Sequence, residues 1–484
     1  YGHPDAQAIF TRIQVENDSL LILRNTVEGE RPVGFASYRE IGNDELYGVL
    51  KDMELANLVR GKSSREILLI TGIYAREENT GDSEMIRDAA QQLLVEVVAK
   101  ELEKNYSFAL FVAERGTAAK HVVYALERQG FVRPHLADEN DKRTIYLVDM
   151  HEPLMFLHNL ETTIKEPFAS NPAVLRAIEK NHKKLQIAMT KLYPGNLVLS
   201  LSSGVMHHRL VDRITSLNDV PREPLVPRRL GKNMCVPFGK ILRGKVVPNT
   251  VTKTLHTDKV YEPDLESCTI EPFPYYSPLN SQIETIRSFD RPVILVDDLV
   301  HKADRLRVLV PKLRETGIPI KKVVVGVLSG YGRDLMQQLK VPVESIYSMP
   351  NVRQWFVEST LYPFIGGDTV RREEMKVAGL QPSINMILPY ATPKLSGCSR
   401  EALVEFSACC IENSRDLLQV LEAEYRKQYA KNLTLSRLSE AVILPLCPDK
   451  GSCMEYDENL AASVYLENDL EILQRMRKFM VTIQ

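Results

Sequence analysis

Two adjacent aspartates, Asp297 and Asp298, stand between an apolar run and a basic helix in the stretch RPVILVDDLVHKADRLRVLVPKLRETG. The run Val293 to Val296 is opened by Pro292 and is continuously apolar and β-branched, which predicts a strand buried on both faces of a parallel sheet. Ligands of open α/β sheets bind at the carboxyl ends of such strands. Paired carboxylates there can accept hydrogen bonds from hydroxyls or coordinate Mg²⁺. The alternative is a turn with one solvated carboxylate.

The same stretch resembles the signature of the type I phosphoribosyltransferases. In that family an apolar strand ends in two acids that bind the ribose hydroxyls of phosphoribosyl pyrophosphate, and a small-residue loop binds the 5′-phosphate. The resemblance implies that Asp297 and Asp298 hold the ribose and a Mg²⁺ ion. The loop itself differs, because His301 to Arg305 stand where the family has small residues and glycines. Lys302 and Arg305 are the expected cationic replacements for the backbone N–H groups of that loop.

A second anion-binding turn is predicted in NLVLSLSSGVMHHRLVDRITSL, which has the pattern of a strand, a small-residue turn and a helix. Ser202, Ser203 and Gly204 can offer hydroxyl and N–H groups to an anion. The phosphoribosyltransferase resemblance implies that this turn ends the first strand of the sheet and binds pyrophosphate. The alternative is an ordinary Ser-Ser-Gly helix entry.

Residues 235–264 form a long segment rich in Lys, Arg and Thr, which predicts an extended basic hairpin. A long charged loop in a compact domain is more often functional than a solvated edge. Its position corresponds to the catalytic loop of phosphoribosyltransferases, which closes over the substrate. The resemblance implies that Lys245 and Lys253 act at the leaving pyrophosphate and that Arg243, His256 and Lys259 bind substrate. Lys240 is a further candidate in the same segment.

The first 150 residues predict a separate α/β unit. SLLILRNTVEGERPVGFASYREI has the pattern of two strands joined by a polar turn, and REILLITGIYA that of a more buried strand. An amphipathic helix over about 84–104, a strand over 107–113 and a helix ended by Gly130 follow. We expect a mostly antiparallel, splayed sheet, in which strand 67–74 lies beside strand 107–113.

This element order, with ALERQGF at residues 125–131, resembles the GNAT superfamily of N-acetyltransferases over roughly residues 10–135. The resemblance implies acetyl-coenzyme A as a cofactor, bound where a glycine-containing turn meets a helix amino end. The residues that match that turn and helix are Gly81, Arg87, Ala89 and Ala90. Leu126 stands where the family often has a tyrosine general acid, and Tyr124 is expected to serve packing.

Composition sets outer bounds on the function. The chain has 484 residues, of which 44% are hydrophobic and 26% charged, as is ordinary for a globular protein. The net charge of −2 gives no electrostatic reason to expect nucleic acid as a partner. No apolar run approaches the roughly 18 residues of a membrane span, and the amino end lacks a signal-peptide core. Seven irregularly spaced cysteines without CxxC pairs predict free thiols in a reducing cytoplasm.

The expected fold class is α/β. The expected domains are a GNAT-like domain (1–150), a phosphoribosyltransferase-like domain with a helix-flanked parallel sheet (151–395) and a helical carboxyl-terminal region (396–484), which packs on the second domain or forms a homodimer contact. The first residue is Tyr1 rather than Met, which indicates a piece of a longer polypeptide.

The leading hypothesis is a phosphoribosyltransferase-type enzyme acting on a phosphorylated ribose or nucleotide, fused to an acetyltransferase-like domain. The alternatives are a nucleotide-sensing or scaffolding module without catalysis, and an enzyme whose active centre is the acyltransferase domain. The acceptor base or amine is not encoded in any of these patterns.

Overall fold

The computed structural model describes residues 18–25, 31–63, 65–75, 83–114, 118–135, 142–227, 229–372, 377–449 and 455–482. These residues form two compact units. Unit 1 takes its described residues from Tyr1–Met155, Met189–Ser200 and Tyr347–Trp355. Unit 2 takes its described residues from Phe156–Ala188, Leu201–Ile346 and Phe356–Gln484. None of the described helices is both long and apolar enough to cross a bilayer. The predicted division into three domains stays a prediction.

Unit 1 is built on a mixed sheet with helices inserted along the chain. Its strands are β1 (Ser19–Asn25), β2 (Arg31–Ile41), β3 (Ile67–Ala75), β4 (Phe108–Glu114), β5 (Arg143–His158) and β6 (Asn196–Ser202), the last two of which run on into unit 2. Its helices are α1 (Leu46–Leu50), α2 (Met53–Lys62), α3 (Ser83–Glu101) and α4 (Lys120–Arg128). The sheet has seven strands in the order β1-β2-β3-β4-β5-β14, where β14 is Gln354–Val357, and β6 also pairs with β5.

The pairing in unit 1 confirms the predicted arrangement of its central strands. β3 and β4 run parallel, with α3 between them in sequence, and the pairs β1·β2, β2·β3 and β4·β5 are antiparallel. The β3·β4 pairing ends at Ile70 opposite Phe111, although β3 continues to Ala75 and β4 to Glu114. The two strands therefore separate toward their carboxyl ends, as a splayed sheet requires.

The helix ending at ALERQGF depends on a glycine. Gly130 has a φ of +90°, which disfavours residues with a Cβ. A Cβ there would also overlap the carbonyl oxygen of Asn196, the first residue of β6. The Val198 N–H donates to the carbonyl of Gln129 at 3.0 Å. The turn after α4 therefore packs backbone to backbone against β6.

Unit 2 contains a parallel sheet around the two aspartates. Its strands are β7 (Met234–Pro237), β8 (Val251–Thr252), β11 (Val293–Val300), β12 (Ile320–Ser329) and β13 (Val343–Met349), in the order β13-β12-β11-β7-β8. The pairs β11·β12, β11·β7 and β7·β8 are parallel. Residues Val293 to Val296 are at most 2% exposed, so the run is buried on both faces as predicted.

Helices cover this sheet and supply the rest of its core. They include α6 (Ser203–Leu217), α7 (Leu279–Arg287), α8 (Asp304–Glu315) and α9 (Gly330–Gln338), whereas α5 (Pro172–Leu192) precedes them in the chain and has no residue in this core. On α8, Leu306, Leu309, Val310 and Leu313 are fully buried in the same hydrophobic cluster as Val293 and Leu295. This apolar face packs α8 against β11, the strand that carries the aspartates and directly precedes the helix in the chain.

A second sheet of unit 2 has the order β10-β9-β15-β16-β17. Its strands are β9 (Thr257–Tyr261), β10 (Cys268–Pro272), β15 (Asp368–Val370), β16 (Gln381–Ile384) and β17 (Leu446–Pro448). The remaining described elements are three 3₁₀-helices (Leu102–Lys104, Leu160–Thr162 and Leu435–Glu440) and the α-helices α10 (Glu358–Leu361), α11 (Arg400–Tyr429) and α12 (Ala462–Thr482). The last two are long helices that contact each other, in agreement with the predicted helical carboxyl-terminal region.

Two local predictions were wrong. The strand before Ser202 pairs with β5 in the sheet of unit 1, so it is not the first strand of the sheet that carries the aspartates. The segment 235–264 is not one extended hairpin, because its first residues form β7, a buried strand paired with β11. An antiparallel hairpin exists further along, formed by β9 and β10. The first part of this segment is a sheet strand rather than a solvent-exposed hairpin arm because Cys235 and Val236 are fully buried.

Candidate functional site

The loop after β7 is held in place by the carboxylate of Asp298. The pairing of β7 with β11 ends at Pro237 opposite Val296, whereas β11 runs on. Beyond that point the backbone N–H groups of Lys240 and Ile241 donate to Asp298 Oδ2 (2.8 Å) and Oδ1 (2.9 Å). Both oxygens of this carboxylate therefore bind backbone groups, and Asp298 substitutes for the strand partner that β11 lacks there.

Asp297 has a different environment. Its Oδ1 accepts a hydrogen bond from the Asp298 N–H (2.8 Å) and lies 3.9 Å from a guanidinium nitrogen of Arg305. Burial raises the pKa of Asp297 to about 7, although the positive charge of Arg305 opposes this shift. A carboxyl that titrates near neutral pH can exchange a proton under ordinary conditions.

The carboxylates leave no room for a side chain on the facing loop. A Cβ on Gly239 would lie 2.6 Å from both Asp297 Oδ1 and Asp298 Oδ1 and 2.8 Å from the Asp298 nitrogen. Glycine is therefore required at this close approach of backbone to carboxylate.

Three cations lie near one another at this loop and the start of α8, and we call Lys240, Arg243 and Arg305 the basic cluster. All three are half-buried. Burial lowers the pKa of Lys240, and the charges of Arg243 and Arg305 lower it further, against the attraction of Asp368. The guanidinium of Arg243 lies 4.3 Å from the ring centre of Phe273. These positive groups are thus close enough to repel one another.

The basic cluster has little direct compensation from carboxylates. Within the described ranges, no carboxylate oxygen comes within 4 Å of Lys240 Nζ or the Arg243 guanidinium, and the Arg305–Asp297 contact is long. Arg305 Nε is buried without a hydrogen-bond partner in the same part of the chain. Buried polar groups are normally satisfied. The arrangement can therefore accept an anion that supplies several acceptor oxygens.

Further polar groups lie around the basic cluster. The ring of His256 stacks on Tyr276 with centroids 4.0 Å apart, and burial lowers the pKa of His256, helped by the charge of Arg243. Lys259 Nζ donates to Asp304 Oδ2 at 2.6 Å. Burial raises the pKa of Asp368, although the charges of Lys240 and Lys259 oppose the shift. Arg243, His256, Lys259 and Arg305 thus lie in one region of unit 2, and their role in substrate binding stays a prediction.

Ser202, Ser203 and Gly204 form the start of α6. The Ser202 hydroxyl accepts from the Val205 N–H (3.4 Å) as the helix cap, Ser203 is buried and Gly204 is exposed. Met206 in the same turn packs on Gly326 of β12, where a Cβ would lie 2.7 Å from the Asp298 carbonyl oxygen. The first turn of α6 therefore lies beside the strands that carry the acid pair, although β6 belongs to the other sheet.

The remaining sequence-predicted residues of unit 2 are more peripheral. Lys302 and Lys245 are exposed. Burial lowers the pKa of His207 on α6 to about 4, and the charge of Lys245 contributes to that shift, so Lys245 lies near α6. Lys253 is half-buried, and its backbone N–H donates to the Cys235 carbonyl. None of these three lysines makes a described contact with the acid pair.

The donor set around the acid pair fits a magnesium ion poorly. Mg²⁺ requires oxygen ligands in near-octahedral geometry. Both oxygens of Asp298 already accept backbone N–H groups, and Asp297 faces Arg305. Three cations nearby oppose a further positive charge. Asp297 and Asp298, which the resemblance implied as Mg²⁺ ligands, are therefore poorly placed to bind this ion.

The predicted coenzyme A residues lie along α3 in unit 1. Arg87 is exposed and stacks over Tyr124 at 5.6 Å, Ala89 is half-buried and Ala90 is buried. Gly81 lies outside the described residues. Arg128 also lies over the Tyr124 ring, at 5.3 Å, which supports the packing interpretation of that tyrosine.

Sequence reasoning missed Gly239 and Asp368. Gly239 follows the apolar run MCVPF, a strand-to-turn signal that could have marked it. Asp368 carries no local signal, because only the pairing of β15 with β9 brings it near Lys240 and Lys259.

No family model and no curated protein matches the sequence. Solved structures that are similar to parts of the chain include acetyltransferases and a phosphoribosyltransferase. A putative acetyltransferase from Acinetobacter baylyi ADP1 has 13% identity and a TM-score of 0.20, over 30% of this chain and 71% of its own. FeeM, an N-acyl amino acid synthase from uncultured soil microbes, has 17% identity and a TM-score of 0.20; the match covers 30% of this chain and 92% of FeeM. Purine phosphoribosyltransferase from Pyrococcus horikoshii Ot3 has 13% identity and a TM-score of 0.21; the match covers 32% of this chain and 87% of that protein. Each similarity is weak and partial.

Proposed function

We propose that unit 2 binds the pyrophosphate group of a phosphorylated ribose, such as phosphoribosyl pyrophosphate, at the basic cluster, and that it transfers the phosphoribosyl group to an acceptor. The observation that carries the proposal is the half-buried cluster of Lys240, Arg243 and Arg305, which has a single long contact to a carboxylate. A pyrophosphate would supply the charge and the acceptor oxygens that these groups lack.

Two further features support the location. The cluster follows the strands β7 and β11, at the edge of a parallel sheet where α/β proteins bind ligands. The two aspartates help to position the cations: Asp298 accepts a hydrogen bond from the Lys240 backbone, and Asp297 lies beside the Arg305 guanidinium. Fixed positive groups would stabilise the charge that develops on a departing pyrophosphate.

The test is calorimetric titration of the full chain with phosphoribosyl pyrophosphate and with inorganic pyrophosphate. We expect R305Q to weaken binding by about 10- to 100-fold, because it removes charge-assisted hydrogen bonds worth roughly 1.5–3 kcal/mol. R307Q is the matched control: Arg307 is on the same helix but exposed, and its variant should bind like the wild type.

Wild-type protein without millimolar affinity for either ligand, or R305Q with unchanged affinity, would overturn the proposal. If binding occurs but no pyrophosphate is released from phosphoribosyl pyrophosphate with any of a panel of bases and amines, the transfer step is wrong and the unit is a nucleotide-sensing module.

A second candidate function, in unit 1, is acyl transfer from acetyl-coenzyme A. The observation that favours it is the end of the β3·β4 pairing at Ile70 and Phe111, which leaves the carboxyl-terminal residues of both strands unpaired with each other. Binding of acetyl-coenzyme A should raise the melting temperature of the wild type, and A90W should abolish that rise because Ala90 is buried on α3. M85A, at an exposed position of the same helix, is the control. An unchanged melting temperature at millimolar acetyl-coenzyme A would exclude this candidate.

A further inference from the structure

Two histidines and a glutamate converge inside unit 2, away from any motif recognised in the sequence. His158 is the last residue of β5, His182 lies on α5 and Glu358 begins α10. Their ligand atoms all lie within 4.8 Å of one another. Across the described part of the chain, this is the one group of three or more His, Cys, Asp or Glu residues with that property. We call it the His-His-Glu cluster.

The geometry of the His-His-Glu cluster is close to that of a metal site. Glu358 Oε2 lies 2.6 Å from His182 Nε2 and 3.8 Å from His158 Nδ1. Two ligand atoms on a tetrahedral zinc ion are about 3.4 Å apart, given bond lengths near 2.1 Å. The two observed distances fall on either side of that value. Small side-chain shifts would therefore place all three atoms at bonding distance from one ion.

The three side chains of the His-His-Glu cluster are largely buried. The Glu358 side chain is fully buried, and the side chains of His158 and His182 are only 13% and 12% exposed. The two imidazole rings are 4.2 Å apart at an angle of 61°. Two imidazoles and one carboxylate are a common ligand set for zinc and other first-row transition metals, and they leave one position open.

The backbone beside each ligand is fixed by a reciprocal pair of buried hydrogen bonds. Next to His158 and Glu358, Asn159 Nδ2 donates to Ser359 Oγ and the Ser359 N–H donates to Asn159 Oδ1, both at 2.9 Å. Next to His182, Asn181 Nδ2 donates to the Asn413 carbonyl at 2.8 Å. These bonds hold the three ligands, which come from distant parts of the sequence, in one place.

A second layer orients the carboxylate itself. The hydroxyl of Tyr362 donates to Glu358 Oε1 at 3.0 Å, which leaves Oε2 directed at the histidines. Asn413 Nδ2 donates in turn to the Tyr362 oxygen (3.0 Å) and to the Asn181 carbonyl (3.1 Å). Metal sites typically have such outer hydrogen bonds, which fix the orientation of their ligands.

We infer that His158, His182 and Glu358 bind a divalent transition-metal ion, with zinc as the working example. A buried ion pair between His182 and Glu358 is the simpler alternative. An ion pair needs only one histidine. Here nitrogens of both His158 and His182 face Glu358 Oε2, and the hydrogen bond from Tyr362 to Oε1 keeps Oε2 directed at both rings. The inference does not depend on the function proposed for the basic cluster.

The experiment uses the full chain, stripped with EDTA and titrated with Zn²⁺ in competition with a chelating dye. The wild type should bind one zinc ion at this site, and H158Q and H182Q should each weaken it at least about 10-fold. H151Q is the matched control, since His151 Nδ1 lies 2.8 Å from Asp149 Oδ1 in a histidine–carboxylate pair that has no third ligand among the residues the structure describes. Its zinc affinity should equal that of the wild type.

A spectroscopic measurement on the wild type keeps the inference testable if a histidine variant does not fold. Co²⁺ added to the stripped protein should give visible absorption of nitrogen and oxygen ligation, without the thiolate charge-transfer band that binding to cysteines would give. Y362F should retain one ion and bind it about 10-fold more weakly. Absence of zinc uptake by the wild type, a thiolate band, or a folded H182Q with wild-type affinity would overturn the inference.

Discussion

The two neighbouring aspartates of unit 2 have separate tasks. Asp298 binds the backbone of the loop after β7 through both of its oxygens, whereas Asp297 lies beside Arg305 and titrates near neutral pH. The first is a structural acceptor that sets the position of Lys240. The second adjusts the local charge that an incoming anion meets.

Replacement of Asp297 by asparagine should change how stability depends on pH. Burial raises the pKa of Asp297 from 3.8 to about 7, so between these values the folded protein holds a proton that the unfolded chain releases. The free energy of unfolding that this group contributes is therefore largest at low pH and falls as the pH rises to about 7. D297N keeps the Oδ1 acceptor but cannot ionise. Relative to the wild type, it should gain on the order of 2 kcal/mol between pH 5 and pH 8.

Urea unfolding of both proteins at four pH values measures this difference. D334N, which alters an exposed aspartate on α9, is the control and should follow the wild type. Parallel curves for D297N and the wild type would contradict the assignment of the titrating group to Asp297.

At the scale of elements, the loop after β7 sets the positions of two of the three residues of the basic cluster. Lys240 and Arg243 lie in this loop, and its path is set by Gly239 against the two carboxylates and by two hydrogen bonds to Asp298. The loop is irregular but not loosely held. A change in its backbone should therefore affect ligand binding and stability together.

Two glycine substitutions separate these effects. G239A should destabilise the protein by about 1–3 kcal/mol and weaken pyrophosphate binding, because its Cβ would meet two carboxylate oxygens at 2.6 Å. G61A, in the last turn of α2, has open space around the new Cβ and should stabilise the protein by up to about 1 kcal/mol. Thermal unfolding and calorimetric titration of both variants measure the outcomes. A stable G239A with full affinity would show that the loop has another path available.

At the scale of the whole molecule, charge is nearly balanced, with 61 basic and 63 acidic residues. Long-range attraction of anions is therefore weak, and any affinity for pyrophosphate must come from the local geometry of the basic cluster. The two proposed activities are assigned to different units: acyl transfer to unit 1 and pyrophosphate binding at the basic cluster to unit 2. The His-His-Glu cluster gives unit 2 a second candidate site, assembled from residues on three elements.

Local patterns in the sequence predicted much of the architecture. The apolar run before Asp297 predicted a buried parallel strand, and helical spacing after it predicted α8, because both signals depend on residues close together in the chain. The position of β3 beside β4 followed from the strand–helix–strand order in the same way, whereas their parallel direction was not predicted. Arg243, His256 and Lys259 were predicted to bind substrate from the basic segment 235–264, and Arg305 from the helix after Asp298; these roles stay predictions.

Only the tertiary structure decided which strands pair and which distant side chains meet. The sequence could not show that β6 joins the sheet of unit 1, since its apolar pattern suits either sheet. It could not show that Asp298 would be occupied by backbone N–H groups, because that depends on where β7 leaves β11. His158, His182 and Glu358 have no common motif, and they come together only through long-range packing and the hydrogen bonds of their neighbours. Contacts between residues far apart in sequence depend on the whole fold, and no local pattern records them.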